Sequence, residues 1–117
     1  MEILFFGTSS GAPTKERNVS GISLIESQGG AWYLIDCGER TQHQAMRSRM
    51  SLTSLKSVFI THLHGDHCYG LPGLLASAGL SGRTEPLQLV GPDGLREWLE
   101  LTKTVSELYL PLSLIHI

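Results

Sequence analysis

The stretch "SVFITHLHGDHCYG" at residues 57–70 runs from an apolar segment straight into a cluster of metal-binding residue types. The apolar part, "SVFI", is typical of a buried β-strand. Three of the chain's five histidines, His62, His64 and His67, follow it within six positions, together with Asp66. Such crowding at the end of a buried strand favours a metal site over a purely structural role for these side chains.

The spacing of the cluster predicts two adjacent metal sites. Residues two apart on an extended strand point the same way, so His62 and His64 can present their imidazoles to one point. Asp66 and His67 follow the turn at Gly65 and project towards a second point nearby. Imidazole and carboxylate together suit Zn²⁺, with Mn²⁺ or Fe²⁺ as competitors. Two adjacent divalent ions can activate a water and neutralise charge on an attacked phosphate.

The segments on either side of the cluster predict an α/β fold. Apolar runs bounded by turn residues indicate strands, and helical periodicity indicates three helices. Strands come first and then alternate with helices, which indicates a mixed sheet with helices packed on one face. The strands are expected in "EILFF", read as buried, and in "GISLIES", "AWYLIDCG", "SVFITH", "LQLVG" and "LPLSLIHI"; the helices are expected over residues 39–50, in "GLPGLLASAGL" and in "PDGLREWLELTKTV".

Composition limits the function classes that the chain can belong to. The formal net charge of −2 gives no whole-chain nucleic-acid signature, although a local basic patch remains compatible with it. The two cysteines, Cys37 and Cys68, are too few for a disulfide framework, so we expect free thiols in a reducing compartment. No apolar run reaches membrane-spanning length or forms a signal peptide, which predicts a cytoplasmic protein.

Three motifs together resemble one family. "THLHGDH" resembles the HxHxDH metal-binding motif of the metallo-β-lactamase superfamily, and "HLHGDHCYGLPGLL" extends it. "IDCGERTQHQ" resembles the DCGEGTQ segment of the ribonuclease Z family within that superfamily. The PxKxRN pattern of the same family is met in "GTSSGAPTKERN" by Pro13, Lys15, Arg17 and Asn18. The chain thus resembles the N-terminal part of ribonuclease Z, a tRNA 3′-processing endonuclease family.

The resemblance implies a role for each matching residue. His62 and His64 would hold one zinc ion, and Asp66 and His67 would hold a second. Asp66 would also be catalytic, because it would orient or deprotonate the attacking water. Asp36, after the "YLID" strand, would steady a metal ligand, with a plain strand-end cap as the alternative. Lys15 and Arg17 would contact RNA phosphates.

The resemblance also implies a larger architecture than 117 residues can supply. The superfamily fold is an αβ/βα sandwich, and residues 1–117 would form one truncated domain that supplies its first half. The family takes a further histidine for each zinc and a bridging aspartate from later residues, so this chain offers only two ligands per ion. His116 matches no ligand, His43 is expected on a helix surface, and the apolar ending "LYLPLSLIHI" favours a continuation of the chain.

We therefore predict a zinc-dependent phosphodiesterase that processes tRNA 3′ ends, with two Zn²⁺ per complete site and precursor tRNA as partner. The full-length protein is expected to be a homodimer without membrane contact, and the 117-residue chain alone is expected to be inactive. Arg40 departs from the family pattern, which has glycine there, and adds strain if the position needs a positive φ. The alternatives are another hydrolase of this fold, such as an arylsulfatase-like or lactonase-like esterase, and a non-catalytic truncated remnant.

Overall fold

The computed structural model describes residues 1–108 and the backbone of residues 114–116. It contains six strands, four α-helices and a short 3₁₀ turn at Leu52–Ser54. The strands are β1 (Glu2–Gly7), β2 (Gly21–Ile25), β3 (Trp32–Ile35), β4 (Leu55–Phe59), β5 (Leu87–Val90) and β6 (Leu114–His116). The helices are α1 (Thr41–Met46), α2 (Gly65–Cys68), α3 (Leu71–Leu80) and α4 (Leu95–Ser106).

The six strands form one mixed sheet in which their order is that of the sequence. The first three strands pair antiparallel. The connection between β2 and β3 is a short turn through Gly29 and Gly30, as expected for such a pair, whereas residues 8–20 join β1 to β2. From β3 to β6 all pairs are parallel, and helices lie in the connections between these strands. The predicted mixed α/β sheet is confirmed.

The core lies between one face of the sheet and the helices. Strand residues on this face, such as Trp32, Leu34 and Val58, are fully buried, and they pack with buried residues of α3 and α4. α3 begins with Pro72 in its first turn, where the missing N–H costs little, and it buries Leu71, Leu74, Leu75 and Ala78. Among the described residues, no helix is both long and apolar enough to span a bilayer.

The opposite face of the sheet carries a row of apolar side chains that remain partly exposed to solvent. The register aligns one side chain from each of five strands in a row across the sheet, which we call the open row. Phe5 is 59% exposed and Phe59 is 37% exposed, while the residues on the other strands are half-buried. The open row consists of Phe5, Ile22, Ile35, Phe59 and Val90.

Three details differ from the sequence-based expectations. The "EILFF" strand exists but is not buried, because β1 is an edge strand whose residues Glu2 to Phe5 are all exposed. The helix expected over residues 39–50 is only Thr41–Met46, and it ends in turns at residues 47–49. The last strand is present in the backbone of residues 114–116, whereas the side chain of His116 lies outside the described residues.

Candidate active site

Two parallel neighbouring strands end at the same edge of the sheet and bring the predicted site residues together. Ile35 of β3 lies opposite Phe59 of β4, so the residues that follow both strands emerge side by side. Asp36 comes directly after β3, and its N–H donates to the Phe59 carbonyl at 2.7 Å. Thr61 and the histidine cluster follow β4. The strand pairing therefore determines that Asp36 faces the cluster across the sheet edge.

Asp36 is the buried acceptor at the centre of this site. It is only 5% exposed, and its backbone takes a left-handed φ of 61°, which is uncommon for residues other than glycine. Its carboxylate accepts hydrogen bonds from the Thr61 N–H at 2.8 Å and from the Thr61 hydroxyl at 2.9 Å. His67 Nδ1 lies 2.7 Å from Asp36 Oδ2. A carboxylate accepts only, so a neutral His67 must donate from Nδ1 and keep Nε2 as an acceptor.

The same reasoning applies to His62. The Thr61 hydroxyl donates its only proton to Asp36. His62 Nδ1 lies 3.0 Å from the same hydroxyl oxygen, so in this contact the His62 N–H donates and Thr61 accepts. His62 Nε2 is then also left as an acceptor. Metal-binding histidines commonly donate their other ring N–H in this way. Asp36 and Thr61 together thus set two imidazoles in the tautomer that a cation requires.

The predicted ligands lie close together. The ring centroids of His62 and His64 are 4.7 Å apart, and those of His62 and His67 are 4.0 Å apart. Asp66 Oδ2 lies 3.3 Å from His67 Nε2. Asp66 Oδ2 also accepts the Gly11 N–H at 2.9 Å, and this bond to the charged form lowers the pKa of the Asp66 carboxyl. Asp66 is therefore an ionised carboxylate at neutral pH.

Backbone contacts hold α2, which carries Asp66 and His67, against the turn after β3. Cys37 N–H donates to the His67 carbonyl at 2.8 Å, and Gly70 N–H donates to the Cys37 carbonyl at 2.9 Å. The approach is so close that a Cβ on Gly38 would lie 2.3 Å from the Asp66 carbonyl oxygen. Glycine at position 38 is therefore required for α2 to reach its place.

The donor set suits a cation such as Zn²⁺, because it combines imidazole nitrogens that are available at Nε2 with an ionised carboxylate. Within the part of the chain that the structure describes, no group of three or more histidine, cysteine, aspartate or glutamate side chains is arranged to hold one ion. The residues present fit part of a metal centre, and the remaining ligands would have to come from elsewhere.

The two predicted RNA-binding residues line a different cavity from the one that His67 lines. Lys15 and Arg17 line a groove of about 610 Å³ between the 13–18 loop and α1. Arg17 donates to the Thr8 side chain from Nε at 3.0 Å, whereas Lys15 is exposed. Arg40 and Arg47 line the same groove, which we call the cationic groove. Arg40 takes a positive φ, of 64°, so the condition under which arginine adds strain at this position is met.

Other candidates fall outside the cluster. Cys37 and Cys68 are both buried free thiols, and burial raises the pKa of each. They are therefore poor nucleophiles and packed core residues rather than ligands. His43 is exposed on α1, as expected.

Thr61 and Gly11 contribute contacts that the sequence patterns did not single out. Thr61 stands directly before the first histidine, so its position was the available signal. For Gly11, no local pattern points to the contact, because it joins residues 55 apart in the sequence.

Comparisons with known proteins place this geometry in a family. A family model described as Anti-Pycsar protein Apyc1 matches residues 1–106. Ribonuclease Z of Pseudomonas putida is 57% identical over 114 residues, which cover 97% of this chain and 36% of that protein. Ribonuclease Z of Marinobacter nauticus is 51% identical, with 99% of this chain and 36% of that protein covered. The chain therefore spans about a third of the length of these relatives.

Solved structures agree with the sequence relatives. Human tRNase Z, short form, superposes with a TM-score of 0.91 at 38% identity, covering 99% of this chain and 44% of that one. The metallo-β-lactamase fold protein YhfI of Bacillus subtilis, at 22% identity and a TM-score of 0.72, shares the fold and covers 98% of this chain and 44% of its own. The chain has the metallo-β-lactamase fold, is similar to ribonuclease Z relatives over nearly its whole length, and belongs to the family that the Apyc1 model describes.

Proposed function

We propose that the chain carries the first part of the active site of a zinc-dependent phosphodiesterase that cuts tRNA precursors at their 3′ end. The observation that carries the proposal is the hydrogen-bonded cluster of Asp36, Thr61 and three histidines around Asp66. The names of the relatives, Ribonuclease Z and tRNase Z, support RNA as the substrate. The product on the tRNA side would end in a 3′-hydroxyl.

The proposal assigns His62 and His64 to one Zn²⁺ and Asp66 and His67 to a second. Bound Zn²⁺ would polarise a phosphoryl oxygen and make water acidic enough to attack at neutral pH. Asp36 would hold the His67 ring in the ligating tautomer through the 2.7 Å contact. Asp66, kept ionised by the Gly11 N–H, would orient the attacking water and accept its proton. Lys15 and Arg17 would contact the substrate's phosphates.

The active enzyme is proposed to be a longer protein than this chain. A catalytic zinc site takes about three protein ligands and a water, while this chain supplies two ligands for each ion. The 117-residue chain alone is therefore expected to hold zinc weakly and to be inactive. The full-length enzyme is proposed to be a cytoplasmic homodimer that acts on precursor tRNA.

A chimera tests the proposal directly. The corresponding segment of Pseudomonas putida ribonuclease Z would be replaced by residues 1–117, and cleavage of a labelled precursor tRNA would be measured. We expect cleavage by the chimera and a loss of at least about 100-fold in the His64→Ala chimera, because ligand loss removes the metal chemistry. The matched control is His43→Ala on the exposed face of α1, which should keep full activity.

Three results would contradict the proposal. A folded chimera that leaves precursor tRNA intact but hydrolyses an aryl sulfate or a lactone would identify another hydrolase of this fold. Robust cleavage by the isolated 117-residue chain with stoichiometric zinc would refute the inference that this chain holds only part of the zinc ligands. A folded chimera without any hydrolytic activity would favour the non-catalytic remnant.

A further inference from the structure

Basic residues are concentrated in the cationic groove. Four of the nine lysines and arginines of the chain line it, with Glu16 as the only acid among its lining residues, although the whole chain carries a net charge of −2. The four are Lys15, Arg17, Arg40 and Arg47. A groove with one sign of charge attracts ligands of the other sign. The charge distribution therefore points to an anionic ligand at this place.

Most of this charge is not neutralised by the protein. Within residues 1–108, the side chains of Lys15, Arg40 and Arg47 form no hydrogen bond or ion pair, and all three residues are exposed. Arg49, two residues after Arg47, contrasts with them because it pairs with Glu2 at 2.6 Å. Three free cations around one groove provide donors that phosphate oxygens can accept.

Arg40 stands in the groove at a conformational cost. Its φ of 64° and ψ of 11° place it in the left-handed region at the start of α1, where glycine would be relaxed. In the described part of the chain, its side chain has no hydrogen bond, ion pair or ring contact that would offset this strain. Strain of this kind is a reason to look for a functional role. The cation that Arg40 supplies to the groove is such a role.

The cationic groove adjoins the histidine cluster. A smaller cavity of about 220 Å³ is lined by His67, and it shares Phe5, Gly7 and Thr8 with the cationic groove. A polymer that passes His67 can therefore cross Thr8 and reach the cations without leaving the surface. This continuity suits a chain of phosphates better than an isolated anion.

We propose that the cationic groove binds the phosphates of a single-stranded RNA segment next to the cleaved bond, with Arg40 and Arg47 extending the contact beyond Lys15 and Arg17. The proposal rests on the proposed function, because RNA is its substrate. Arg40 and Arg47 are then positioning residues that hold the strand, whereas the histidine cluster carries the chemistry.

Binding of a short fluorescein-labelled oligouridine to the 117-residue chain, followed by fluorescence anisotropy over a range of salt, tests the groove. Four phosphate contacts predict a slope of log K against log salt of about −2.8, and the Arg40→Gln/Arg47→Gln variant should fall to about −1.4. The same relation predicts about 20-fold weaker binding by this variant near 0.1 M salt. Circular dichroism checks that each variant is folded.

Matched variants separate charge from strain. Lys56→Gln removes an exposed cation on β4 outside the groove and should keep the wild-type slope. Arg40→Gly should weaken binding as Arg40→Gln does while raising the melting temperature, because it relieves the left-handed φ. Equal affinities and slopes for wild type and the Arg40→Gln/Arg47→Gln variant would overturn the proposal.

The outcome is distinguishable from failure of the proposed function. His64→Ala should bind oligouridine as the wild type does, because His64 belongs to the cluster and lines neither the cationic groove nor the cavity beside it. If this cluster variant lost the oligouridine while the groove variant kept it, the groove proposal would fail. Suppose that the chimera cleaves precursor tRNA while the Arg40→Gln/Arg47→Gln variant binds oligouridine as tightly as the wild type. That pair of results would leave the proposed function standing and refute only the groove proposal.

Discussion

Asp36 shows how one residue links backbone conformation to the chemistry of the site. It combines a left-handed φ, near-complete burial and hydrogen bonds to Thr61 and His67. Asp36→Asn keeps the shape but removes the charge and offers an amide N–H where His67 and Thr61 need an acceptor. We expect zinc affinity to fall about 10- to 100-fold, the usual effect of losing a carboxylate partner of a ligating histidine.

Competition for Zn²⁺ with a chromophoric chelator measures this change. His43→Ala is the control, because His43 is exposed on α1 and lies outside the cluster. Unchanged zinc affinity in a folded Asp36→Asn variant would mean that Asp36 only caps the end of β3, the alternative that the sequence left open.

Gly38 provides the second test at the residue scale. A Cβ there would meet the Asp66 carbonyl at 2.3 Å and a Val19 methyl at 2.4 Å. We expect Gly38→Ala to displace α2, to lower the free energy of unfolding by about 1–3 kcal/mol and to weaken zinc binding. Urea denaturation and the chelator competition check the two effects.

Gly73→Ala is the matched control for this substitution. The nearest atom to its Cβ would be Gln42 Oε1 at 3.8 Å, so space is sufficient. Alanine inside α3 should raise stability by about 0.5–1 kcal/mol. Equal stability of the Gly38→Ala variant and the wild type would show that α2 can shift without cost.

At this scale, the sequence predicted the histidine cluster and, through the family resemblance, Asp36, but not the contacts made by Thr61 and Gly11. The HxHxDH spacing is local, so it could be recognised without a fold. The contacts of Asp36 with Thr61 and of Gly11 with Asp66 depend on strand pairing and loop folding, with partners 25 and 55 residues apart. No local pattern specifies such partners.

At the scale of elements, Arg83 joins the segment before β4 to the loop before β5. It is 5% exposed, and its guanidinium donates to the backbone carbonyls of Leu52, Leu55, Glu85 and Pro86. Arg83→Lys keeps the charge but has too few donors for these acceptors. We expect a loss of about 2–4 kcal/mol of unfolding free energy, because buried carbonyls are left unsatisfied.

Urea denaturation measures this loss as well. The control is Arg49→Lys, whose exposed pair with Glu2 should change stability by less than about 1 kcal/mol. If Arg83→Lys were as stable as Arg49→Lys, bound water would have to replace the lost donors. Zinc affinity of the folded Arg83→Lys variant should stay unchanged, since Arg83 has no contact with the cluster.

The positions of the strands and helices were largely predictable from the sequence, while the burial of individual residues was not. Apolar runs and turn residues located each strand to within a few positions. They did not show that β1 lies at an edge, so its burial was wrongly expected. Arg83 was overlooked because an arginine in the turn-rich "SGRTEP" is usually exposed. Burial depends on what packs against a segment, and one segment's composition does not contain that information.

At the scale of the whole molecule, the mixed sheet follows from the order of elements in the sequence. The short turn between β2 and β3 favours antiparallel pairing, and helices between later strands favour parallel pairing. The open row, in contrast, could not be read from the sequence. Strands that are apolar on both faces are expected in a sandwich, and the relatives are about three times as long as this chain.

The open row predicts self-association of the 117-residue chain. Contiguous exposed apolar surface beside an edge strand is a site of association. Ile3 is 59% exposed on β1, two residues before Phe5 and on the same side of the strand. We expect Ile3→Lys to shift the sedimentation profile towards monomer and to reduce binding of the dye ANS, because a charge on the edge opposes pairing. The unfolding free energy should change little, since the side chain is exposed.

Val105→Lys makes the comparison quantitative. Val105 is 82% exposed on α4, away from the open row, so this variant adds the same charge without altering the edge of the sheet. Equal sedimentation of Val105→Lys and wild type, with a smaller species for Ile3→Lys, would locate the association at β1. If both variants dissociated alike, net charge rather than the open row would control association. In that case the sheet face would be stable in water without a covering element.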